Sequence, residues 1–297
     1  MNADVLSQTR FDVYRAVTDK IVAAIEAGAG TFVMPWHGNG AVIAKPQNAH
    51  TRMEYHGINV MALWAQAYVS GYQSGYWASY RQWQSVGAQV VKGEKGSTVV
   101  FFKQLEVDQD EDGEPSRRLV ARASRVFNAD QVAGWQPPAP PHSTGGAETM
   151  EQVEAFVAAT KAQVHHGGSI ACYHIRDDYI EMPDRSRFIG SPTSSATEAH
   201  SACILHELVH WSGAKHRLDR GFGEGFTKER LAAEELVAEI GSAFLCADLG
   251  VTNEPRPDHA AYVAHWLQLL KNDTRTIFHV SKIANQAATY LHELVQV

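Results

Sequence analysis

The run His206-Glu207-Leu208-Val209-His210 decides how the second half of this chain folds. Residues four positions apart lie one turn apart on the same face of a helix, so both imidazoles can bind one metal ion. Glu207 would stand beside them, where its carboxylate can take a proton from water. Apolar residues flank the motif and a glycine follows it. The pattern predicts a buried helix that carries a zinc site, with His206 and His210 as ligands and Glu207 as the catalytic base.

The third ligand has two candidates, since a catalytic zinc site usually takes three protein ligands. His216 lies six residues beyond His210, and Gly213 stands between them, so the run satisfies the spacing H-E-x-x-H-x-x-G-x-x-H. That pattern is normally completed by a methionine turn further along the chain. Every methionine of this sequence precedes the motif.

The other candidate is a glutamate on a second helix, which we predict over residues 228–249. On a helical wheel Glu235 and Glu239 flank the apolar stripe of this helix, whereas Glu234 falls on the far side. Carboxylates beside a core stripe are costly unless a cation neutralises them. We therefore predict Glu235 as the ligand and Glu239 as the acceptor that holds the second N–H of a ligand histidine.

Length and composition describe a globular protein large enough for two domains. The chain has 297 residues and a net charge of −7, all of it in residues 141–297, because residues 1–140 hold 13 basic and 13 acidic side chains. No stretch has the roughly 20 apolar residues of a membrane span, and the N-terminus lacks the pattern of a signal peptide. Three widely spaced cysteines suit a reducing compartment. We expect a cytoplasmic protein without a membrane partner.

A proline- and glycine-rich run marks the domain boundary. We predict a linker at 136–147 between a first domain at 1–135 and a second at 148–297. The first domain should be mixed α/β and the second mainly helical with a small sheet, which makes the fold class α+β. The main predicted elements are helices at 11–28 and 148–163, strands at 98–102 and 118–128, and short strands near 170–182.

Basic and aromatic residues alternate through the first domain. Residues 45–103 carry six basic side chains, two acidic ones and eight Tyr or Trp rings. Proteins that bind single-stranded nucleic acid combine a cationic groove with rings on which bases stack. A Trp- and Tyr-rich core with a solvated turn at Lys92–Gly96 accounts for the same composition. The residues alone leave both interpretations open.

Several motifs together resemble ArdC-type antirestriction proteins. In the second half they are His206–Gly213, Lys215–Arg220 and Glu234–Gly241; in the first half they are Tyr55–Asn59, Trp77–Tyr80, Gly87–Gly96 and Val126–Gln131. A module similar to the first half also occurs at the start of some plasmid primases. The pair Glu235-x-x-x-Glu239 is similar to the E-x-x-x-D helix of gluzincins. That similarity favours Glu235 over His216 as the third ligand.

The resemblance implies a first domain that binds single-stranded DNA and a second, gluzincin-type zincin domain that binds Zn²⁺, for which Mn²⁺ or Co²⁺ could substitute. It implies protection of incoming plasmid DNA from host restriction, by cleavage of a host protein or by shielding the DNA. Two alternatives stay open: a DNA-binding shield with a silent zincin domain, and a cytoplasmic zinc peptidase without a DNA role. The candidate DNA contacts are Tyr55, Trp77, Arg81, Lys92 and Lys95.

A peptidase also needs a group that stabilises the oxyanion formed on the peptide carbonyl. Tyr173, Tyr179 and His216 are the candidates, and the sequence does not rank them. The peptide substrate and the oligomeric state are likewise not fixed by the sequence.

Overall fold

The computed structural model describes residues 12–28, 34–37, 44–107, 116–138, 146–191, 194–221, 227–252 and 260–296. Eight α-helices and nine β-strands form the main regular structure of these residues. The helices are α1 (Val13–Gly28), α2 (Ile58–Ser70), α3 (Tyr80–Ser85), α4 (Gly146–Ala159), α5 (Ala196–Ser212), α6 (Lys228–Leu249), α7 (Ala260–Asn272) and α8 (Thr276–Val295). The strands are β1 (Gln47–Asn48), β2 (Tyr76–Ala78), β3 (Gln89–Val90), β4 (Ser97–Val107), β5 (Ser116–Asn128), β6 (Val132–Ala133), β7 (Gln163–Gly168), β8 (Cys172–His174) and β9 (Tyr179–Pro183).

The first half is built on a four-stranded sheet in the order β1-β2-β5-β4, with β3 and β6 paired separately. Strands β4 and β5 form a long antiparallel hairpin in which Ser97 lies opposite Val126. The two predicted strands are confirmed, and both extend further toward the hairpin tip. Asn59 anchors α2 to this hairpin, because its side chain donates to the carbonyl of Val100 at 2.9 Å and accepts from the same residue's N–H at 2.7 Å. The acidic segment 108–114 lies outside the described residues.

The second half carries a three-stranded sheet in the order β7-β9-β8, in which β7 is parallel and β8 antiparallel to β9. The predicted helix at 228–249 is confirmed as α6, and the one predicted at 148–163 is observed as α4, ending at Ala159. Strand β7 was not predicted, because its sequence Gln-Val-His-His-Gly-Gly lacks the alternation of apolar and polar residues that marks a strand. No helix in the described ranges is long and apolar enough to cross a membrane.

One continuous hydrophobic core joins the two halves. It runs from Ile21 in α1 and Leu63 in α2 to Leu236 in α6 and Leu291 in α8. The predicted α+β class is therefore confirmed, with the difference that the two domains share a core. Part of the predicted linker, residues 139–145, lies outside the described residues, so the boundaries at 135 and 148 stay a prediction.

Candidate metal centre

Helix α5 carries the motif and is capped at both ends. The hydroxyl of Ser195 accepts from the N–H of Glu198 at 3.2 Å, and the Glu198 carboxylate accepts from the N–H of Ser195 at 2.8 Å. This reciprocal cap satisfies N–H groups that the first turn would otherwise leave without a partner. The helix ends at Gly213, whose N–H bonds to the carbonyl of His210. Between the caps, His206 and the residues around it are buried, as the apolar flanks predict.

Helix α6 crosses α5 closely enough to bring a carboxylate to the two histidines. The contact is made by Gly241, where an added Cβ would lie 3.0 Å from a methyl carbon of Val209. Val209 directly precedes His210, so the small glycine sets the distance between the two helices at the motif. As a result Glu235, less than two turns earlier on α6, reaches the imidazoles.

His206, His210 and Glu235 form the one group of three potential ligands found among the described residues. Glu235 Oε2 lies 3.6 Å from His206 Nε2, and Glu235 Oε1 lies 3.7 Å from His210 Nε2. Ligand atoms about 2.0–2.2 Å from a tetrahedral zinc ion are separated by about 3.3–3.6 Å. Two imidazoles and one carboxylate at this spacing therefore suit a divalent metal ion.

His216, the alternative ligand, is not part of this group. Its side chain is 65% exposed, and its Nε2 lies 3.3 Å from Asp178 Oδ2. The Gly-x-x-His spacing in the sequence therefore does not bring His216 to the other two histidines.

The position of the Glu234 side chain differs from the helical-wheel prediction. Glu234 was placed on the far side of α6, yet its side chain is only 10% exposed, and its Oε1 lies 3.1 Å from His210 Nδ1. Arg220 holds the same carboxylate with an Nη2–Oε1 distance of 2.8 Å. The wheel considers α6 alone, whereas the loop after α5 folds back and buries the face that carries Glu234. Glu234 thus orients His210, a role that the sequence analysis missed.

The carboxylates set the charge of the site in the absence of metal. Burial alone would lower the pKa of His210, but its hydrogen bond to Glu234 and the nearby carboxylate of Glu235 outweigh burial and raise this pKa to about 10. Burial alone would raise the pKa of Glu235, but His206 and His210 beside it lower that pKa well below its ordinary value. The site therefore holds a proton on His210 at neutral pH.

Glu239 is the most deeply buried carboxylate around the site. Its Oε2 lies 3.8 Å from His206 Nδ1, which is close enough to influence the ring but longer than a hydrogen bond. Its Oε1 accepts from the indole N–H of Trp36 and contacts His37, both more than 200 positions earlier in the chain. No sequence motif marks these two residues, so their contact with Glu239 could not be predicted.

Glu207 is buried beside the metal-ligand group, and one of its oxygens is held by the sheet. The backbone N–H of Tyr173 in β8 donates to Glu207 Oε2 at 3.0 Å. The Tyr173 hydroxyl donates to Asp178 at 2.8 Å and accepts from Arg217 at 3.1 Å. Arg217 also stacks over the ring of Trp211, 3.8 Å from its centroid. This cluster fixes β8 against α5 and so fixes the orientation of Glu207.

The surroundings of the three oxyanion candidates differ. Burial and the Asp178 carboxylate raise the pKa of Tyr173 to about 12, while the guanidinium of Arg217 lowers the pKa of Asp178. Tyr179 stacks on His165 and His174, with centroid distances of 4.4 Å to each. These contacts occupy the hydroxyl of Tyr173 and the ring of Tyr179, and His216 is paired with Asp178 as described above.

The candidate DNA contacts fall into two groups. Trp77 is 1% exposed and Tyr55 is 7% exposed, so both rings lie in the core, where neither can stack on a base. Burial in the hydrophobic core therefore argues against base stacking by either ring, and a DNA contact by these two residues stays a prediction. Arg81, Lys92 and Lys95 are exposed, as a contact with phosphate requires.

Comparison with known proteins identifies the family. Residues 151–283 match a zincin-like metallopeptidase domain, and residues 11–132 match the N-terminal domain of the anti-restriction factor ArdC. The crystal structure of metal-free antirestriction protein ArdC from plasmid R388 is similar with a TM-score of 0.80 and 38% identity, covering 96% of this chain and 98% of that one. The chain belongs to the ArdC antirestriction family.

Further proteins similar to this chain extend the comparison. A structure of R388 ArdC with bound Mn(II) is similar with a TM-score of 0.77. The uncharacterised protein y4eC of Sinorhizobium fredii is 44% identical over 299 residues, which are 98% of this chain and 95% of that protein. Two Escherichia coli proteins, each named DNA primase TraC, are 32% and 31% identical, and this chain spans only 20% and 27% of their lengths. The ArdC and zincin resemblances predicted from the sequence are confirmed.

Proposed function

We propose that this chain is an antirestriction protein that binds single-stranded DNA through its first half and hydrolyses a peptide bond at a zinc site in its second half. The observation that carries the proposal is the convergence of His206, His210 and Glu235 next to Glu207. A site that served only to stabilise the fold would not need a buried carboxylate at the position of Glu207.

Each residue of the site has a separate role in the proposed peptide hydrolysis. His206, His210 and Glu235 would hold the ion, which when bound supplies Lewis acidity toward a carbonyl oxygen. The Glu207 carboxylate takes a proton from the attacking water and can return it to the leaving amine. The N–H of Tyr173 keeps Glu207 in a single orientation for this transfer. Proton transfer by a positioned carboxylate contributes about 10²–10⁴-fold to the rate of such reactions.

Support for DNA binding comes from a surface of the first half, here called the Tyr80 surface, that consists of Tyr80, Arg81, Lys92, Lys95 and Arg125. All five side chains are exposed. Phe127 and Gly96 lie between Tyr80 and Arg125: the Tyr80 ring is 6.5 Å from the ring of Phe127, which packs against Gly96, and Arg125 donates to the Gly96 carbonyl at 3.0 Å. Lys92 and Lys95 lie in the segment directly before Gly96.

The composition of the Tyr80 surface matches what single-stranded DNA requires. Stacking of a base on an aromatic ring contributes about 1–3 kcal/mol, and cations around it bind phosphate. Tyr80 thus takes the stacking role that was predicted for Trp77 and Tyr55. Two relatives are named DNA primases, which agrees with a module that works on DNA.

A Glu207→Gln variant tests the peptidase. This change keeps the size of the side chain and leaves the three proposed ligands intact, so metal content should equal that of the wild type. Cleavage of a casein or fluorogenic peptide substrate should fall by about 10²-fold or more. Protection of plasmid DNA during transfer into a restricting host is measured in parallel. Full protection by a metal-loaded Glu207→Gln protein would show that the domain shields DNA without turnover.

Binding of labelled oligonucleotides at several salt concentrations tests the first half. Tyr80→Ala should weaken binding of a single strand by about tenfold or more. The Lys92→Ala and Lys95→Ala changes should each reduce the slope of affinity against salt by about 0.7. Lys228→Ala, an exposed lysine on the acidic half, is the control and should bind like the wild type. Absence of salt-sensitive single-strand binding in the wild type would contradict the assignment.

A further inference from the structure

A buried contact connects the first half of the chain to the edge of the metal centre. The Trp36 indole N–H donates to Glu239 Oε1 at 3.0 Å, and His37 Nε2 lies 2.8 Å from the same oxygen. The three side chains are at most 3% exposed. Trp36 and His37 lie in the segment that matches the ArdC N-terminal domain, whereas Glu239 lies in the zincin-like segment.

The hydrogen bonds around His37 define its tautomer. The backbone N–H of Met34 donates to His37 Nδ1 at 3.0 Å. Because a backbone N–H can only donate, Nδ1 carries no proton, and the ring proton is on Nε2. His37 Nε2 therefore donates to Glu239. Oxygen Oε1 thus receives two N–H groups, one from Trp36 and one from His37, and the turn at residues 34–37 fixes both donors.

The second oxygen of Glu239 faces the metal centre, with Oε2 lying 3.8 Å from His206 Nδ1. Carboxylates that accept the second N–H of a ligand histidine set the orientation and basicity of the ring, and their loss typically lowers metal affinity about 10–100-fold. At 3.8 Å the charge of Glu239 acts on the ring of His206 without a direct hydrogen bond. Two donors on Oε1 fix the plane of the carboxylate and hence the position of Oε2.

We propose that Trp36 and His37 are positioning residues of the metal centre, so that the first half of the chain completes the site formed by the second half. This inference rests on the proposed metal site at His206, His210 and Glu235. The two donors also offset part of the cost of burying this carboxylate. High metal affinity then requires both halves of the chain in their native arrangement.

Substitutions in the full-length chain test this role through affinity for Zn²⁺ and Mn²⁺, measured by competition with a chromogenic chelator. Trp36→Phe keeps an aromatic ring and removes the N–H, and His37→Leu removes the other donor. Each should lower affinity about tenfold, and the pair together up to about 100-fold. His37→Gln restores most of the affinity, because the amide nitrogen of glutamine is as far from Cβ as Nε2 of histidine.

Trp83→Phe is the matched control. Trp83 is fully buried and its N–H donates to the carbonyl of Phe127 at 3.0 Å, so the change removes an equivalent hydrogen bond that does not involve Glu239. Metal affinity of this control should equal that of the wild type. Melting temperatures in chelator identify the variants that fold. If His37→Leu does not fold, the test uses Trp36→Phe alone.

The outcomes separate this inference from the metal site itself. A wild type that binds no metal overturns the proposed site and the inference with it. Wild-type affinity in folded Trp36→Phe overturns the positioning role alone. Equal losses in Trp36→Phe and Trp83→Phe also overturn it, since the effect would then follow from any lost buried hydrogen bond.

Discussion

Replacing Arg220 by alanine removes the cation that connects Glu234 to the end of α5. The guanidinium lies 2.8 Å from Glu234 Oε1 and donates to the Val209 carbonyl at 2.6 Å and to the Ser212 hydroxyl at 2.9 Å. The side chains of Arg220 and Glu234 are 7% and 10% exposed. Removal of one partner from a buried ion pair costs about 3–5 kcal/mol, because the other charge stays buried. We expect a loss at the lower end of that range in the free energy of unfolding, because Glu234 keeps its contact with His210.

Urea unfolding in the presence of chelator measures this loss without a contribution from metal. The control is Arg185→Ala, which removes a pair with Glu154 at 2.5 Å in which both side chains are about half exposed. Exposed pairs contribute about 0–1 kcal/mol, so the control should differ little from the wild type. The variant Arg220→Ala/Glu234→Gln should recover part of the stability, because the remaining buried charge is gone. Equal losses in Arg220→Ala and Arg185→Ala would show that burial of the Arg220–Glu234 pair adds nothing to its contribution.

Three further perturbations have defined outcomes. Gly241→Ala should lower the free energy of unfolding by about 1–3 kcal/mol, because the new methyl group pushes Val209 and α5 away from Glu235. The same shift should weaken metal binding, and unchanged metal affinity in a titration would contradict this expectation. Ser195→Ala removes the cap of α5 and should cost about 1 kcal/mol in urea unfolding, and no loss would contradict the cap. The pKa of His210 is raised from 6.5 to about 10, so stability in chelator should be highest below pH 6.5 and fall as the pH rises toward 10. Metal affinity should increase over the same range, because the ion displaces that proton. Melting curves and metal titrations at pH 6, 8 and 10 check both trends, and flat profiles would contradict them.

Features of the fold and the site that depend on neighbouring residues could be predicted from the sequence. The placement of His206 and His210 on one helix face follows from the helical period and the flanking apolar residues, whereas the choice of Glu235 over His216 also needed the resemblance to gluzincins. The bounds of α6 could likewise be predicted, at 228–249. Such features depend on neighbours within a few turns, which a single sequence displays.

Features set by distant parts of the chain could not be predicted in this way. The role of Glu234 depends on Arg220, which reaches it only after the loop following α5 folds back. Trp36 and His37 contact Glu239 across more than 200 residues, and no local pattern records that contact. Composition likewise could not separate Trp77, a core ring, from Tyr80, an exposed one, because both occur in the same basic and aromatic segment.

Metal content of three purified full-length proteins identifies the third ligand of the metal centre. Wild type, Glu235→Ala and His216→Ala are loaded with Zn²⁺, dialysed and analysed by elemental mass spectrometry. We predict about one ion per chain in the wild type and in His216→Ala, and strongly reduced metal in Glu235→Ala, because a catalytic site needs its three protein ligands. Full occupancy in Glu235→Ala together with loss of metal in His216→Ala would contradict the account and assign the third ligand to His216.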